Sequence, residues 1–257
     1  MKHIVCKGLT AGLILAAAST SYAQAAAEPK GVFVNVNGGA QTQQRSIGTT
    51  LEFPIYDQTG TVEAAQNVGK GGIFDLSAGY RVWSDLSLGI GFTTYSKTGE
   101  IVGRASIPHP LFLDRHVSSD LDGESKRTER SVYIEAVWSF PLNRFIKMPM
   151  LDKVLDKVDV ALSAGPSFIT VEQDVLVGVT VPQGSQQATA DIQRRKDSTV
   201  GLILGADVNY MVMRTAGVGV GVGGFIRYQG AGGVDLAPAE KQSTGGFQAG
   251  GGLRLRF

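Results

Sequence analysis

The sequence predicts an all-β chain whose strands close into an eight-stranded antiparallel barrel with its apolar face outward. Three observations predict it. Apolar and polar residues alternate with period two in eight segments of this 257-residue chain. The connections between those segments alternate long and short, as antiparallel strands of an up-and-down barrel do. Gly, at 34 residues, weakens helix interiors, and no apolar run reaches the about 18 residues of a membrane-spanning helix.

The first segment, Val32 to Gln41, sets Val32, Val34 and Val36 against Asn35 and Asn37. In Ile73 to Val82, Phe74, Leu76, Ala78, Tyr80 and Val82 oppose Asp75, Ser77, Gly79 and Arg81. In Asp85 to Tyr95, Leu86, Leu88, Ile90 and Phe92 oppose Asp85, Ser87, Gly89 and Thr93. Ser131 to Phe140 places Val132, Ile134, Ala136, Trp138 and Phe140 against Ser131, Tyr133, Glu135 and Ser139. Val158 to Phe168 and Val200 to Tyr210 repeat the pattern, with Asp159 and Asp207 on their polar faces. Val218 to Tyr228 carries Arg227 among glycines, and Phe247 to Phe257 carries Arg254 and Arg256. Thr42 to Lys70, Thr98 to Lys126, Val175 to Ser198 and Gly230 to Ser243 read as long loops. Ser106 to Pro110 and Pro182 to Gln187 read as their tips. Trp83-Ser84, Met213 to Thr215 and the middling Pro141 to Lys157 are the turns at the other end.

The N-terminus supplies an address. Lys2, His3 and Lys7 flank the start of the apolar stretch Gly8 to Ala18, and small-residue sites follow at Ala23 and Ala27. That layout is a secretory signal peptide over 1–27, cleaved between about 23 and 27, with a barrel domain over 28–257. Cys6, the single cysteine, precedes the apolar stretch and leaves with it, so neither a disulfide nor a Cys-based zinc site is expected. Lys and Arg total 24 against 23 Asp and Glu, which excludes an electrostatic footprint for nucleic acid.

A soluble sandwich also alternates, so parity alone does not choose the solvent. The apolar face is wide and nearly free of charge, whereas the other face is mostly Gly, Ser and Asn with a few charges. Small polar residues suit a narrow lumen, and a closed barrel pairs every strand backbone group, as hydrocarbon demands. The outward aromatics cluster at strand ends. Tyr80, Trp138, Phe140, Tyr210 and Phe257 lie at the short-turn ends, and Phe74, Phe92, Phe168, Tyr228 and Phe247 at the long-loop ends. Phe247 and Phe257 are ten steps apart, which at roughly 3.4 Å per residue and 45° tilt rises about 24 Å. These read as two interfacial girdles.

The C-terminal segment, Phe247 to Phe257 with Leu253, Leu255 and a terminal aromatic, resembles the closing strand of small Gram-negative outer-membrane barrels. The resemblance runs from Val32 to Phe257 and is to the eight-stranded family of OmpX and the OmpA transmembrane domain. It implies an outer-membrane, porin-like envelope protein, with Leu253, Leu255 and Phe257 acting as an assembly signal. It also implies a monomer in contact with outer-membrane lipid and lipopolysaccharide, and with periplasmic chaperones and the barrel-assembly machinery during biogenesis. With the sequence ending at Phe257, no periplasmic domain is expected, a departure from full-length OmpA.

Eight strands enclose a lumen that side chains can fill. Its inward charges are Asp75, Asp85, Glu135, Asp159 and Asp207 against Arg81, Arg227, Arg254 and Arg256, which should pair because unpaired buried charge is expensive. A salt-bridged plug is the first expectation. Inward glycines at Gly217, Gly219, Gly221 and Gly223 leave room for the alternative, a small-solute path or a lateral hydrophobic route similar to OmpW. Lipid A-modifying barrel enzymes need a histidine beside a serine. His109 and His116 remain after leader removal, near Ser106, Ser118, Ser119, Asp114 and Asp120, but proximity in sequence sets no triad geometry. Two histidines without a supporting cluster are also a poor metal site. The reading is therefore non-enzymatic, without cofactor or metal, presenting four surface loops for envelope integrity or external contacts. In the turn Pro141 to Lys157, Met148, Met150, Leu151, Val154 and Leu155 fit either a short amphipathic helix or an irregular polar turn.

Overall fold

A computed structural model describes residues 31–112, 115–146, 152–182, 185, 187–214, 218–239 and 241–257. The leader over 1–27 lies outside the described residues, as do Asp114, Met148, Met150, Leu151 and Gly217. Among the described residues ten strands follow one another: β1 (Val32–Gln41), β2 (Arg45–Ile55), β3 (Gln58–Val68), β4 (Gly71–Arg81), β5 (Leu86–Pro108), β6 (His116–Pro141), β7 (Val158–Thr180), β8 (Thr189–Arg214), β9 (Gly219–Val234) and β10 (Gln242–Arg256).

Eight of them form the barrel. Antiparallel neighbours run β1-β4-β5-β6-β7-β8-β9-β10, and β1 pairs with β10 from Phe33↔Arg256 to Gln41↔Gln248, so the ring closes. Facing follows the alternation. Ile90, Leu202 and Ile226 are 56%, 63% and 65% exposed on the outside, whereas Asp75 and Arg254 are fully buried inside. One ladder is interrupted: β6 and β7 pair up to Tyr133↔Ser167 and resume at Ala136↔Ala164, leaving Ile134 and Glu135 opposite Gly165 and Pro166. Proline has no N–H to give that ladder.

The stretches expected as long loops are mostly strand. β5 and β6 stay in register up to Pro108↔His116, so Ser106 to Pro108 belong to the sheet and the tip begins at His109. β7 and β8 likewise pair up to Thr180↔Thr189. The physical reason is a change of surroundings along one strand. Within the belt Leu88, Ile90 and Phe92 of β5 point outward; farther up, Ile101, Ala105 and Ile107 point inward and are buried. Outside the bilayer the sheet's outer face meets water, so the apolar residues change sides and the hairpins enclose a core of their own.

The first expected loop is itself a hairpin. β2 and β3 meet at Tyr56-Asp57, both at positive φ (53° and 59°), a type I′ turn made without glycine. β3 extends the sheet by pairing Thr61–Asn67 with the upper part of β5. β2 folds inward over the mouth, where Ile47 packs with Ile169, Val171 and Val175 of β7 and with Val234, Leu236 and Ala239. Full burial of such aliphatic side chains contributes about 1.5–3 kcal/mol each. A second cluster, including Val62, Ile101, Leu121 and Leu176, joins β3 to β5, β6 and β7. At the opposite end, among the described residues of the Pro141 to Lys157 stretch, Leu142–Arg144 form a 3-10 turn and Asp152–Leu155 a single helical turn.

Candidate functional site: a filled lumen with a covered mouth

Asp75 on β4 is the centre of the middle layer. Its carboxylate accepts from Asn37 Nδ2 (2.7 Å), Thr93 Oγ1 (2.8 Å), Tyr133 Oη (2.6 Å) and Arg227 Nη1 (2.8 Å). Arg254 continues the network, donating to Asn37 Oδ1 (2.5 Å), Asn209 Oδ1 (2.5 Å) and Asp207 Oδ1 (3.1 Å). These bonded side chains come from β1, β4, β5, β6, β8, β9 and β10, so the network crosses the lumen. Glu135 is buried beside it. The Arg227 guanidinium stacks 5.2 Å from the ring centres of both Tyr133 and Phe225.

The inward glycines are filled. A Cβ on Gly219 or Gly221 would meet Met211 at 2.9 Å, and one on Gly223 would meet Arg254 Nε at 2.8 Å. Phe33, Tyr95, Tyr133 and Phe225 also turn inward and are buried. Rings this large need small neighbours, and Gly91 beneath Tyr133 and Gly79 beneath Phe33 provide them.

Above this layer, Gln248 Nε2 donates to Gln41 (3.2 Å) and Gln229 (3.3 Å). Higher still, Glu129 takes Arg127 Nε at 2.7 Å and Arg45 of β2 at 3.1 Å. Arg127 is fully buried and also donates to Gln173 (2.6 Å) and Gln242 (2.5 Å). Gly245 makes this node possible. Its φ of +80° and the register shift in β10 aim the backbone inward, so its N–H reaches Glu129 (3.1 Å) and its carbonyl accepts from Arg45 and Gln41. Arg45, Arg127 and Glu129 escaped the sequence reading because they fall in or beside stretches taken as loops. Continued parity from Leu121 through Arg127 to Ser131 was the available signal.

Below the middle layer a cavity of about 670 Å³ opens at the short-turn end, which is periplasmic in outer-membrane barrels. Arg81, Asp85, Asp159 and Arg256 line it, with Glu135, Asp207 and Arg227 at its inner wall. Arg256 stacks over Phe33 at 5.1 Å and donates to Asn35 (3.2 Å), and Asp85 pairs with Arg144 at 2.8 Å. The nine lumen charges singled out from the sequence are thus divided. Asp75, Arg227, Asp207 and Arg254 join the network, Glu135 lies beside it, and Arg81, Asp85, Asp159 and Arg256 stand on the cavity wall.

Outside, Phe74, Tyr80, Phe92, Trp138, Phe168, Tyr210, Tyr228 and Phe247 are exposed, and Phe140 lies half-buried, 5.2 Å from Phe145. Phe92, Val132, Phe168 and Val200 share one register row, and Tyr228 stacks on Phe247 at 5.1 Å. Leu253 and Phe257 face out, Leu255 is half-buried, and Phe257 exchanges backbone bonds with Val32 (2.8 and 2.9 Å). On the extracellular hairpins Ser106 Oγ lies 3.1 Å from His116 Nδ1 on an exposed strand surface. A small concavity of about 70 Å³ on these hairpins is lined by His109 but by neither member of that pair. Among the described residues no group of three or more His, Cys, Asp or Glu side chains could hold a metal ion.

No protein-family model and no curated protein matches the chain. Among solved structures it is similar to Neisserial surface protein A, at 16% identity and a TM-score of 0.41 over 88% of this chain and 95% of that one. It is also similar to OprG from Pseudomonas aeruginosa, at 8% identity and 0.43 over 89% and 96%. A third is the attachment invasion locus protein Ail of Yersinia pestis, at 11% identity and 0.33 over 86% and 97%. The molecule's own surface settles its solvent. A closed ring of strands with an exposed apolar belt between aromatic girdles is an outer-membrane β-barrel, because lipid tolerates no unpaired strand edge.

Proposed function

We propose that the protein is a non-enzymatic, non-conducting outer-membrane barrel, serving envelope structure and surface contacts through its extracellular β-structure. The lumen-crossing network centred on Asp75 carries this reading. A solute would have to break charge-assisted hydrogen bonds in a narrow tube, each worth about 1.5–3 kcal/mol, and then displace the β2–β3 hairpin from the mouth. The hairpins supply what a lumen plug does not: a folded extracellular surface held rigid by its own apolar clusters.

A channel for small solutes or hydrophobic compounds is the second reading. It is favoured by the periplasmic cavity and by the ladder interruption at Pro166 beside Glu135. Single-channel recording on the purified, refolded protein in planar bilayers separates the two. The expected record has no discrete openings; steady discrete openings would replace the first reading with the second.

A further inference from the structure

Beyond the lipid-facing belt, β5 to β8 continue side by side, and their outward faces form a polar collar. Counted away from the Phe92–Val132–Phe168–Val200 row, the next three outward rows hold Arg130, then Glu172 with Lys196, then Lys126, Asp174 and Arg194. Every other position in those rows is Ser or Thr. The rows lie two, four and six residues past the belt, about 5, 10 and 14 Å higher at roughly 3.4 Å per residue and 45° tilt. The headgroup layer on each side of the hydrocarbon is itself some 5–8 Å deep. Long cationic side chains rooted just above it reach back into it.

Four cations share two carboxylates here. Glu172 is divided between Arg130 (3.5 Å) and Lys196 (3.4 Å), and Asp174 takes Arg194 at 2.8 Å. The carboxylates are sunk at 22% and 19% exposure, whereas Arg130, Arg194 and Lys196 are 55%, 60% and 63% exposed. Both acids are therefore paired with cations whose side chains stay mostly exposed.

We propose that this collar binds the phosphate groups of an anionic lipid in the outer leaflet. Guanidinium, ammonium and hydroxyl donors at headgroup height match phosphate oxygens, and basic residues beside a membrane span each add about 1 kcal/mol toward anionic lipid, roughly fivefold in affinity. The inference rests on the membrane-spanning placement of the barrel and not on closure of the lumen, so the conductance result leaves it untouched.

The test uses the mature protein in zwitterionic detergent micelles and fluorescent diphosphorylated lipid A as the probe. The triple variant R130Q/R194Q/K196Q should bind on the order of 100-fold more weakly. Wild-type binding should fall with added salt. Dephosphorylated lipid A should bind both proteins equally and poorly. Arg104→Gln, on the same sheet but at a higher ion pair with Asp120, should bind like wild type. Unchanged heat-modifiable gel mobility shows that each variant is folded. Equal affinity of triple variant and wild type would overturn the proposal, as would equal affinity of wild type for both lipids. So would binding of a soluble sulfated polysaccharide in place of lipid A, which would make the collar a site for an external polyanion.

Discussion

Asp75→Ala removes the acceptor on which four side chains converge. Arg227 then stays buried, with a side chain 3% exposed, without its partner at 2.8 Å. Tyr133, Thr93 and Asn37 each lose an acceptor at 2.6–2.8 Å. Breaking a buried ion pair by removing one member costs about 3–5 kcal/mol, which is a large part of a typical stability of 5–15 kcal/mol. Urea unfolding of the detergent-folded protein, followed by tryptophan fluorescence and gel mobility, should register that loss. Arg227→Ala should cost a similar amount by leaving the buried Asp75 without its partner cation. The double variant should then fall short of the sum by about 1.5 kcal/mol or more, since the pair acts as a unit. A loss below about 1 kcal/mol for Asp75→Ala, or strict additivity of the pair, would refute the reading of this network as the element that holds the barrel's interior together.

Phe257→Ala should lower the amount of protein inserted in cells while costing the refolded barrel at most about 1.5–3 kcal/mol, because the backbone bonds of Phe257 to Val32 do not need the ring; equal insertion, measured by fractionation, would argue against an assembly signal. Arg45→Ala should loosen the β2–β3 hairpin selectively, since Glu129 keeps Arg127 at 2.7 Å; faster amide exchange confined to residues 45–68 is the expected signature. The hydrogen bond from Arg194 holds the Asp174 carboxyl below its usual range, helped by the Lys126 N–H. Its contribution is therefore present above the unfolded value near about 3.9 and is lost as pH falls through the lower folded value, so exchange protection of the β7–β8 hairpin should weaken only in that acid window, and not at all in Asp174→Asn.

Much of this molecule was legible in its sequence because lipid imposes a local rule. A strand between lipid and a narrow lumen must show one side chain to each in turn, so Leu88, Ile90 and Phe92 announce the outside and Asp75, Glu135 and Arg227 the inside without reference to any partner strand. Above the membrane that rule inverts. Ile101, Ala105 and Ile107 carry the same alternation with the opposite meaning, and their segment reads as a loop unless one knows that the outer face has passed from lipid to water. The Tyr56-Asp57 turn, lacking the usual glycine, hid the hairpin that covers the mouth.

By itself, then, the sequence determined the number of barrel strands, the facing of each membrane segment and the lumen charges at membrane level, all properties of single strands in contact with solvent. Only the tertiary structure decided which charges meet. Asp75 and Arg227 are 152 residues apart, and Arg254 and Asn37 are 217 apart. Their contacts depend on the register that ring closure imposes, on glycines that leave space for Tyr133 and Arg254, and on the backward fold of β2. Those are long-range packing facts, and no local pattern of side chains encodes the distance between two strands that are neighbours only because the sheet curls shut.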